Sequence, residues 1–514
     1  MASWRNKPFI YQINTRVWLT TLSETYGYTI TLDNIPDEVL DDVSKPGIDI
    51  IWFMGIWQRG EKGRANALKY KHEYRGALPD ITDADVIGSA YAIADYRVED
   101  SIGGRAALAR LRERLRQRGV KIMLDYVPNH VGLDHEWAKQ PEFVITGTKD
   151  QQKARPDVFF KAKRFDGKDW IIAHGRDPYF PGWEDTVQLN VFHPTVRQAV
   201  VFTLLDIASQ CDGVRCDMAM LMMNDIFAGT WAGCNIGPRP QRDYWQEIVP
   251  QVRAQYPDFM FIAEVYWDKE YDIIQQGFDY AYDKTLYDRI GSGDVQKLRQ
   301  HLLADIDYQK HLIRFIENHD EHRAFAHLGE ERSLPAATLI CTLPGAVLLH
   351  DGQFLGRTVK LPVQIGRQPD EELHPELEEY YRRLLWETLD PSYERGQFYL
   401  FEVWQTSPED HSNRNLLAYG WRDAVSKRYR LIVVNLTGEH SYGRINLGYW
   451  SELARQKRWK LFDVTDGVEY VRHGGELTHE GLFIYLEPYE SHIFRFELDI
   501  EYERPVIQHA RVKA

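Results

Sequence analysis

Eight short apolar runs mark out the first three-quarters of the chain, at residues 9–18, 48–57, 121–130, 213–220, 261–265, 278–282, 314–320 and 345–352. Each is nearly continuous rather than alternating, as expected of a strand buried on both faces of a parallel sheet. Helical periodicity lies between them: at 36–43, closed by Gly47; at 105–118, where Ala107, Leu108, Leu111 and Leu115 share one face and arginines the other; at 196–209; and at 244–255, ahead of Pro257. Strands alternating with helices predict an α/β fold, a (β/α)8 barrel. Residues 131–190, after the third strand, are aromatic and irregular and read as an insertion. Near residue 396 the pattern changes to short alternating strands, at 398–403, 415–421, 430–435, 459–463, 481–486 and 491–496, which predict a C-terminal antiparallel β-sandwich. The expected domains are a barrel over 1–392, carrying the 131–190 insertion, and a sandwich over 393–514. The polar end from Glu501 is expected to be loosely held.

Acidic residues sit at the ends of these strands, and the carboxyl ends of a parallel barrel are where its chemistry is built. In the run Gly213-Val214-Arg215-Cys216-Asp217-Met218-Ala219-Met220, Arg215 and Asp217 are two apart and leave a strand on one face. A carboxylate beside a guanidinium is favoured in its ionised form, and an ionised carboxylate can attack an electrophilic carbon. A structural ion pair accounts for these eight residues equally well. Three further runs carry Asp125 with Asn129 and His130, Glu264, and His319 with Asp320.

Taken in order, these four runs resemble the four sequence signatures of the α-amylase family, glycoside hydrolase family 13. The elements are Asp-x-x-x-x-His at Asp125 to His130, Gly-x-Arg-x-Asp at Gly213 to Asp217, the glutamate Glu264, and His319-Asp320. Residues 9–18 are similar to the family's Tyr-Gln-Ile opening, and Trp183 to Asn190 to a fifth, weaker signature. The resemblance implies a retaining α-glycosidase acting on α-glucans or maltooligosaccharides. Asp217 would be the nucleophile, Glu264 the acid and base, and Asp320 the stabiliser of the transition state. His319, His130 and Arg215 would bind the sugar, Tyr91 would stack on it, and Asp125 would orient Arg215 from behind. Trp183 is a further candidate contact. Retention requires two carboxyl groups about 5–5.5 Å apart, and adjacent strands about 4.8 Å apart bring Asp217 and Glu264 into that range. Glu264 would need a raised pKa to act as an acid. A glucanotransferase or a short-substrate α-glucosidase would use the same residues, and a non-catalytic glycan-binding barrel is the alternative from another class.

The sequence also departs from the family. Met220-Leu221 stands where typical members have Lys-His, and Gln353 follows Gly352 where a glutamate is usual. Strand alternation would face Leu221 inward, which predicts weakened binding on the leaving-group side and a preference for short oligosaccharides over starch. Asn129 helps hold a structural calcium in many members. The insertion offers Asp166, Asp169, Asp177 and Asp185 but no recognisable calcium loop, so no metal or other cofactor is predicted as a requirement.

Composition narrows the partners. With 62 basic and 76 acidic residues the net charge is −14, which argues against nucleic acid and leaves a neutral ligand as the better fit. Aromatics make up 13% of the chain, including 15 Trp and 29 Tyr, and suit stacking on sugar faces. Cys211, Cys216, Cys234 and Cys341 show no metal-ligand spacing. No signal-peptide core precedes the first strand and no apolar run approaches a membrane span, so a soluble cytoplasmic protein without membrane association is expected.

Overall fold

The computed structural model describes residues 4–455 and 458–499. Eight parallel strands close into a barrel: β1 (Phe9–Asn14), β2 (Ile50–Met54), β3 (Lys121–Tyr126), β4 (Gly213–Cys216), β5 (Met260–Ala263), β6 (Tyr280–Tyr282), β7 (Leu312–Arg314) and β8 (Ala346–His350). Each strand pairs with its neighbours in sequence, and β8 closes on β1 through pairs such as Ile10↔Leu348. The continuous apolar runs have the expected cause, since both faces of most of these strands are buried. In β2 every residue from Ile50 to Met54 has no exposed surface.

The strands are short and do not coincide with the apolar runs that signalled them, β7 sharing only Arg314 with the expected run 314–320. Residues 15–18 begin the helix Thr15–Tyr26, and β7 ends at Arg314, so His319 and Asp320 lie on a loop beyond it. β4 stops at Cys216; Met218 then takes a left-handed backbone (φ 42°) and starts the 3-10 turn Ala219–Met222. The strand alternation expected through residue 221 therefore fails. The segment around Tyr91 leads into the strand Ile93–Val98, which pairs irregularly with Trp57–Arg59. The insertion is also more ordered than its sequence suggests. It contains the hairpin Phe159–Lys163 with Asp169–Ala173, and His130–Gly132 pairs with Thr186–Gln188.

By proximity the chain divides into two compact units. One holds the residues up to Lys284 with Lys310–Ala326 and Gly345–Leu373; the other holds Thr285–Gln309, His327–Pro344 and the chain from His374. The second unit contains a six-stranded antiparallel sheet and a three-stranded one. Both contribute to a single apolar core, Leu431, Val433 and Leu461 from the larger and Ile445, Ile484 and Leu486 from the smaller, around the buried Trp450. Strands Ser441–Ile445 and Glu469–His473 were not expected from the sequence. The end from Glu501 lies outside the described residues. Among the described residues, no helix is long and apolar enough to cross a membrane.

Candidate active site

The barrel register brings the acidic ends together. Cys216 is paired with Ala263, so Asp217 and Glu264 follow their strands side by side. Their backbone amides extend the ladder, Asp217 N–H donating to the Tyr126 carbonyl (2.8 Å) and Glu264 N–H to the Cys216 carbonyl (3.0 Å). Arg215 is fully buried between them. Its Nη1 donates to Asp217 Oδ1 at 2.7 Å, while Nη2 lies 2.8 Å from Glu264 Oε2 and 3.6 Å from Asp320 Oδ2. Nη2 has close ionic neighbours but no partner in hydrogen-bond geometry, so its grip on Glu264 is Coulombic. The guanidinium is boxed in by the rings of Trp52, Tyr91 and Tyr282, 5.3–5.8 Å from their centroids.

Glu264 Oε2 accepts from the Met218 amide (2.6 Å) and Oε1 from the Tyr266 hydroxyl (2.8 Å). The left-handed Met218 aims that amide, and a non-glycine residue in this conformation is strain held at a site. Burial raises Glu264 to about 7; Arg215 opposes the shift, and the negative Asp217 and Asp320 add to it. Asp217 is also raised, by burial first. Arg215 counters the rise through charge and hydrogen bond but does not reverse it. Asp320 goes the other way: burial would raise it, but His319, Arg215 and Lys360 outweigh burial and hold it below the usual carboxylate range. It is the most open of the three, its side chain 42% exposed.

His319 is held from both sides. The Gln12 amide lies 2.6 Å from Nδ1, and Nε2 is 2.9 Å from Asp320 Oδ2 and 2.6 Å from the Tyr91 hydroxyl. The Tyr91 ring lies nearly parallel to His319, centroids 5.4 Å apart. Gly55 (φ 74°) lets this loop approach, since a Cβ there would meet the Cβ of Ala90 at 2.9 Å. His130 is buried beside Trp183 (5.0 Å between centroids), and burial lowers it to about 4, keeping it neutral at pH 7.

The structure therefore gathers Asp217, Glu264, Asp320, Arg215, His319 and Tyr91 into one contact network. Asp125 is different. It makes no hydrogen bond or ion pair with Arg215; its carboxylate accepts from Trp52 Nε1 (3.1 Å) and the Gly55 amide (2.8 Å). Its link to Arg215 is Coulombic, the guanidinium opposing the rise that burial gives the Asp125 carboxyl. Met220 and Leu221 are both buried, at 0% and 2% exposure, in the 3-10 turn after β4 rather than on a strand face. Gln12, Trp52, Tyr266 and Tyr282 were missed by the sequence reading. Gln12 and Trp52 have a usable signal, being polar-tipped side chains inside otherwise apolar strands.

The surroundings of Asn129 do not fit a divalent cation. Its carbonyl and Oδ1 both accept from the Gln188 amide, at 2.8 and 2.9 Å, which places an N–H donor where a cation would need free oxygens. Asp177 Oδ1 caps the amides of Tyr179 and Phe180, and Asp169 pairs with Lys161 and Lys163. In the second unit, Asp463, Asp466 and His492 approach one another, but Asp463 is engaged by His492, Thr465 and the Ile493 amide.

Comparison with known proteins shows the family and the fold. The α-amylase catalytic-domain model matches residues 37–382. An α-amylase, MalA, of Haloarcula japonica is 26% identical over 377 residues, 72% of this chain and 46% of that protein, so the chain spans about half the length of this relative. A probable oligo-1,6-glucosidase of Bacillus subtilis is 24% identical over 294 residues, 51% of this chain and 45% of its own length. Among solved structures, the α-amylase of Geobacillus thermoleovorans complexed with acarbose shares the fold at a TM-score of 0.65 with 18% identity, covering 97% of this chain and 100% of that one. On the extent of the family match and the order of its signatures, the chain belongs to the α-amylase family, glycoside hydrolase family 13.

Proposed function

We propose that this chain is a retaining α-glycosidase that cleaves α-glucosidic bonds of α-glucans or maltooligosaccharides by double displacement. The observation that carries the reading is the gathering of three carboxyl groups around the buried Arg215, with Glu264 pushed to about 7 and Asp320 held low. An Asp217 carboxylate oxygen attacks the anomeric carbon as the bond to the leaving oxygen breaks, and Glu264 gives its proton to that oxygen. Glu264, now ionised, takes a proton from water; the water oxygen bonds to the anomeric carbon and the ester to Asp217 breaks. Arg215 supports the ionised form of Asp217 against the cost of burial. Asp320 and His319 bind ring hydroxyls and favour the flattened, positively charged transition state, with His130 as a neutral partner. The same residues transfer the glycosyl group when a sugar hydroxyl replaces water. We assign this chemistry to a barrel domain of residues 1–392 including the 131–190 insertion, with 393–514 as a separate sandwich. No disulfide joins the four cysteines, which supports a reducing, cytoplasmic setting.

The test is to trap the intermediate. Glu264→Gln should still react with an activated glucosyl fluoride, whose departure needs no proton, and should accumulate a glycosyl ester. Peptide mapping is expected to find the ester on Asp217. An ester on any other residue, or hydrolysis with inversion at the anomeric carbon, would overturn the assignment.

A further inference from the structure

Resting on that reading, we infer that the site is a blind pocket that takes a single glucosyl unit from the non-reducing end of its substrate. Glu264 protonates the leaving oxygen, so the rest of a chain on the reducing side departs past β5. In the closed barrel order β5 stands directly across from β1. A chain continuing in the non-reducing direction would have to leave over β1.

That route is walled off. The segments that follow β2 and β8, the two neighbours of β1, join each other, and Gln368 Nε2 donates to Thr21 Oγ1 (3.0 Å) on the helix that follows β1. Val86 and Ile365 form an antiparallel bridge, Ile87 N–H donates to the Gln364 carbonyl (2.8 Å), and Gly366 N–H donates to the Asp85 carbonyl (2.8 Å). Arg367 pins the join, with Nε 2.8 Å from Asp85 Oδ1 and Nη2 3.0 Å from Asp80 Oδ1. Beneath it Leu78, Ile81, Val86 and Ile365 form a small apolar core of their own. This is a packed, cross-linked wall rather than a loose loop.

A small cavity lies between His319 and Leu361, which packs on that core. The cavity there, bounded by His319, Asn318, Asp351, Lys360 and Leu361, measures about 20 Å³, the space of one or two waters and far less than a second sugar ring. Its floor is fixed by Glu317, which pairs with Arg323 (2.7 Å) and His350 (3.1 Å), and by Arg323 donating to the Asp351 carbonyl (2.7 Å). Asn318 also has a buried Nδ2 with no partner, while its Oδ1 caps the amides of Asp320 and Glu321. An unpaired buried donor beside a water-sized space suits a terminal sugar hydroxyl as its acceptor. The opposite rim is open and aromatic: Tyr179 is 70% exposed and meets Trp267, three residues beyond Glu264, at 5.1 Å.

The experiment compares maltoheptaose with a maltoheptaoside whose non-reducing end carries a 4,6-O-ethylidene block, with products resolved by chromatography. Maltoheptaose labelled at its reducing end should lose one glucose at a time, so the first labelled product is maltohexaose. The blocked substrate should react at least about 100-fold more slowly, since its end group has no space. Cleavage of both substrates at similar rates, or first labelled products spread over shorter chains, would overturn the blind pocket while leaving the hydrolase reading intact. Release of no product from either substrate would instead overturn the α-glucan reading itself, and the pocket proposal with it.

Discussion

Replacing Glu264 by glutamine separates the charge of this side chain from its shape. The glutamine can keep both contacts, its oxygen accepting from the Met218 amide at the position of Oε2 and its amide donating to the Tyr266 hydroxyl at the position of Oε1. What it removes is the ionisation. The carboxyl is raised by burial to about 7, against an ordinary 4.5, and at about 1.4 kcal/mol per pH unit its ionisation in the folded protein costs about 3 kcal/mol. A folded-state value above the unfolded one means that the group favours folding below about 4.5 and loses that contribution as pH rises through about 7. Wild type should therefore fall behind Glu264→Gln progressively across this window, by about 3 kcal/mol at the alkaline end, read from urea midpoints at a series of pH values. Two curves that run parallel from acid to alkaline pH would refute the raised value. Activity supplies an independent check. The alkaline limb of wild-type kcat/KM should turn near 7, where the free enzyme's acid is lost, and Glu264→Gln should lose about 10²–10⁴-fold on substrates whose leaving group needs a proton.

Tyr91→Phe removes one hydrogen bond to His319 and keeps the ring, so kcat/KM should fall about 3–10-fold, whereas Tyr91→Ala, which also uncovers His319 and Arg215, should fall further; steady-state kinetics on maltose and maltotriose decide it. Because the Gln188 amide engages both oxygens of Asn129, exhaustive chelation should leave the thermal midpoint and the activity unchanged, and a chelator-induced drop restored by calcium would refute this. Leu221→Ala should cost about 2–5 kcal/mol of stability as a core truncation, with an unchanged ratio of rates on short and long maltooligosaccharides; a changed ratio at unchanged stability would show that Leu221 faces the substrate after all.

The barrel was legible because its strands are buried on both faces and therefore read as unbroken apolar runs. The same property hid where each strand ends, since apolar residues continue into whatever is buried next. Met218 and Met220 look like strand residues, and only the left-handed turn at Met218 reveals the break. Phe315 and Ile316 extend the β7 run in the same way, although the strand stops at Arg314. In the insertion, the strand Phe159–Lys163 is five residues long and buries only Phe159, too little apolar pattern to stand out among lysines and aspartates. The carboxylates and histidines of the site were readable because they stand in ordered signatures. Their immediate partners were not, because Gln12 and Trp52 approach them from other strands and Tyr266 lies just past the end of the Glu264 run. Asp125 shows the reverse case, where a residue found by its signature has contacts that only the fold reveals.

The charge arrangement itself argues for which carboxyl holds the proton. One buried guanidinium faces three acidic groups, and buried negative charge without a partner is costly, so a proton is favoured on the least well compensated of the three. Asp217 receives a directed hydrogen bond from Arg215 Nη1, and Asp320 has His319 and Lys360 as well as partial access to water. Glu264 is almost wholly buried and near Nη2 without hydrogen-bond geometry, so it keeps the least compensation as an anion. Its protonated form loses little, because the Met218 amide and the Tyr266 hydroxyl still find an oxygen lone pair. In the proposed mechanism the first step would shift the balance: Asp217 would be esterified and neutral, one negative neighbour of Glu264 would be gone, and the ionised Glu264 would become the main partner of Arg215. In that mechanism burial and the negative Asp217 and Asp320 favour the acid form of Glu264 against the pull of Arg215, and once Asp217 is neutral the same pull favours the base form, which is the alternation that a two-step displacement requires.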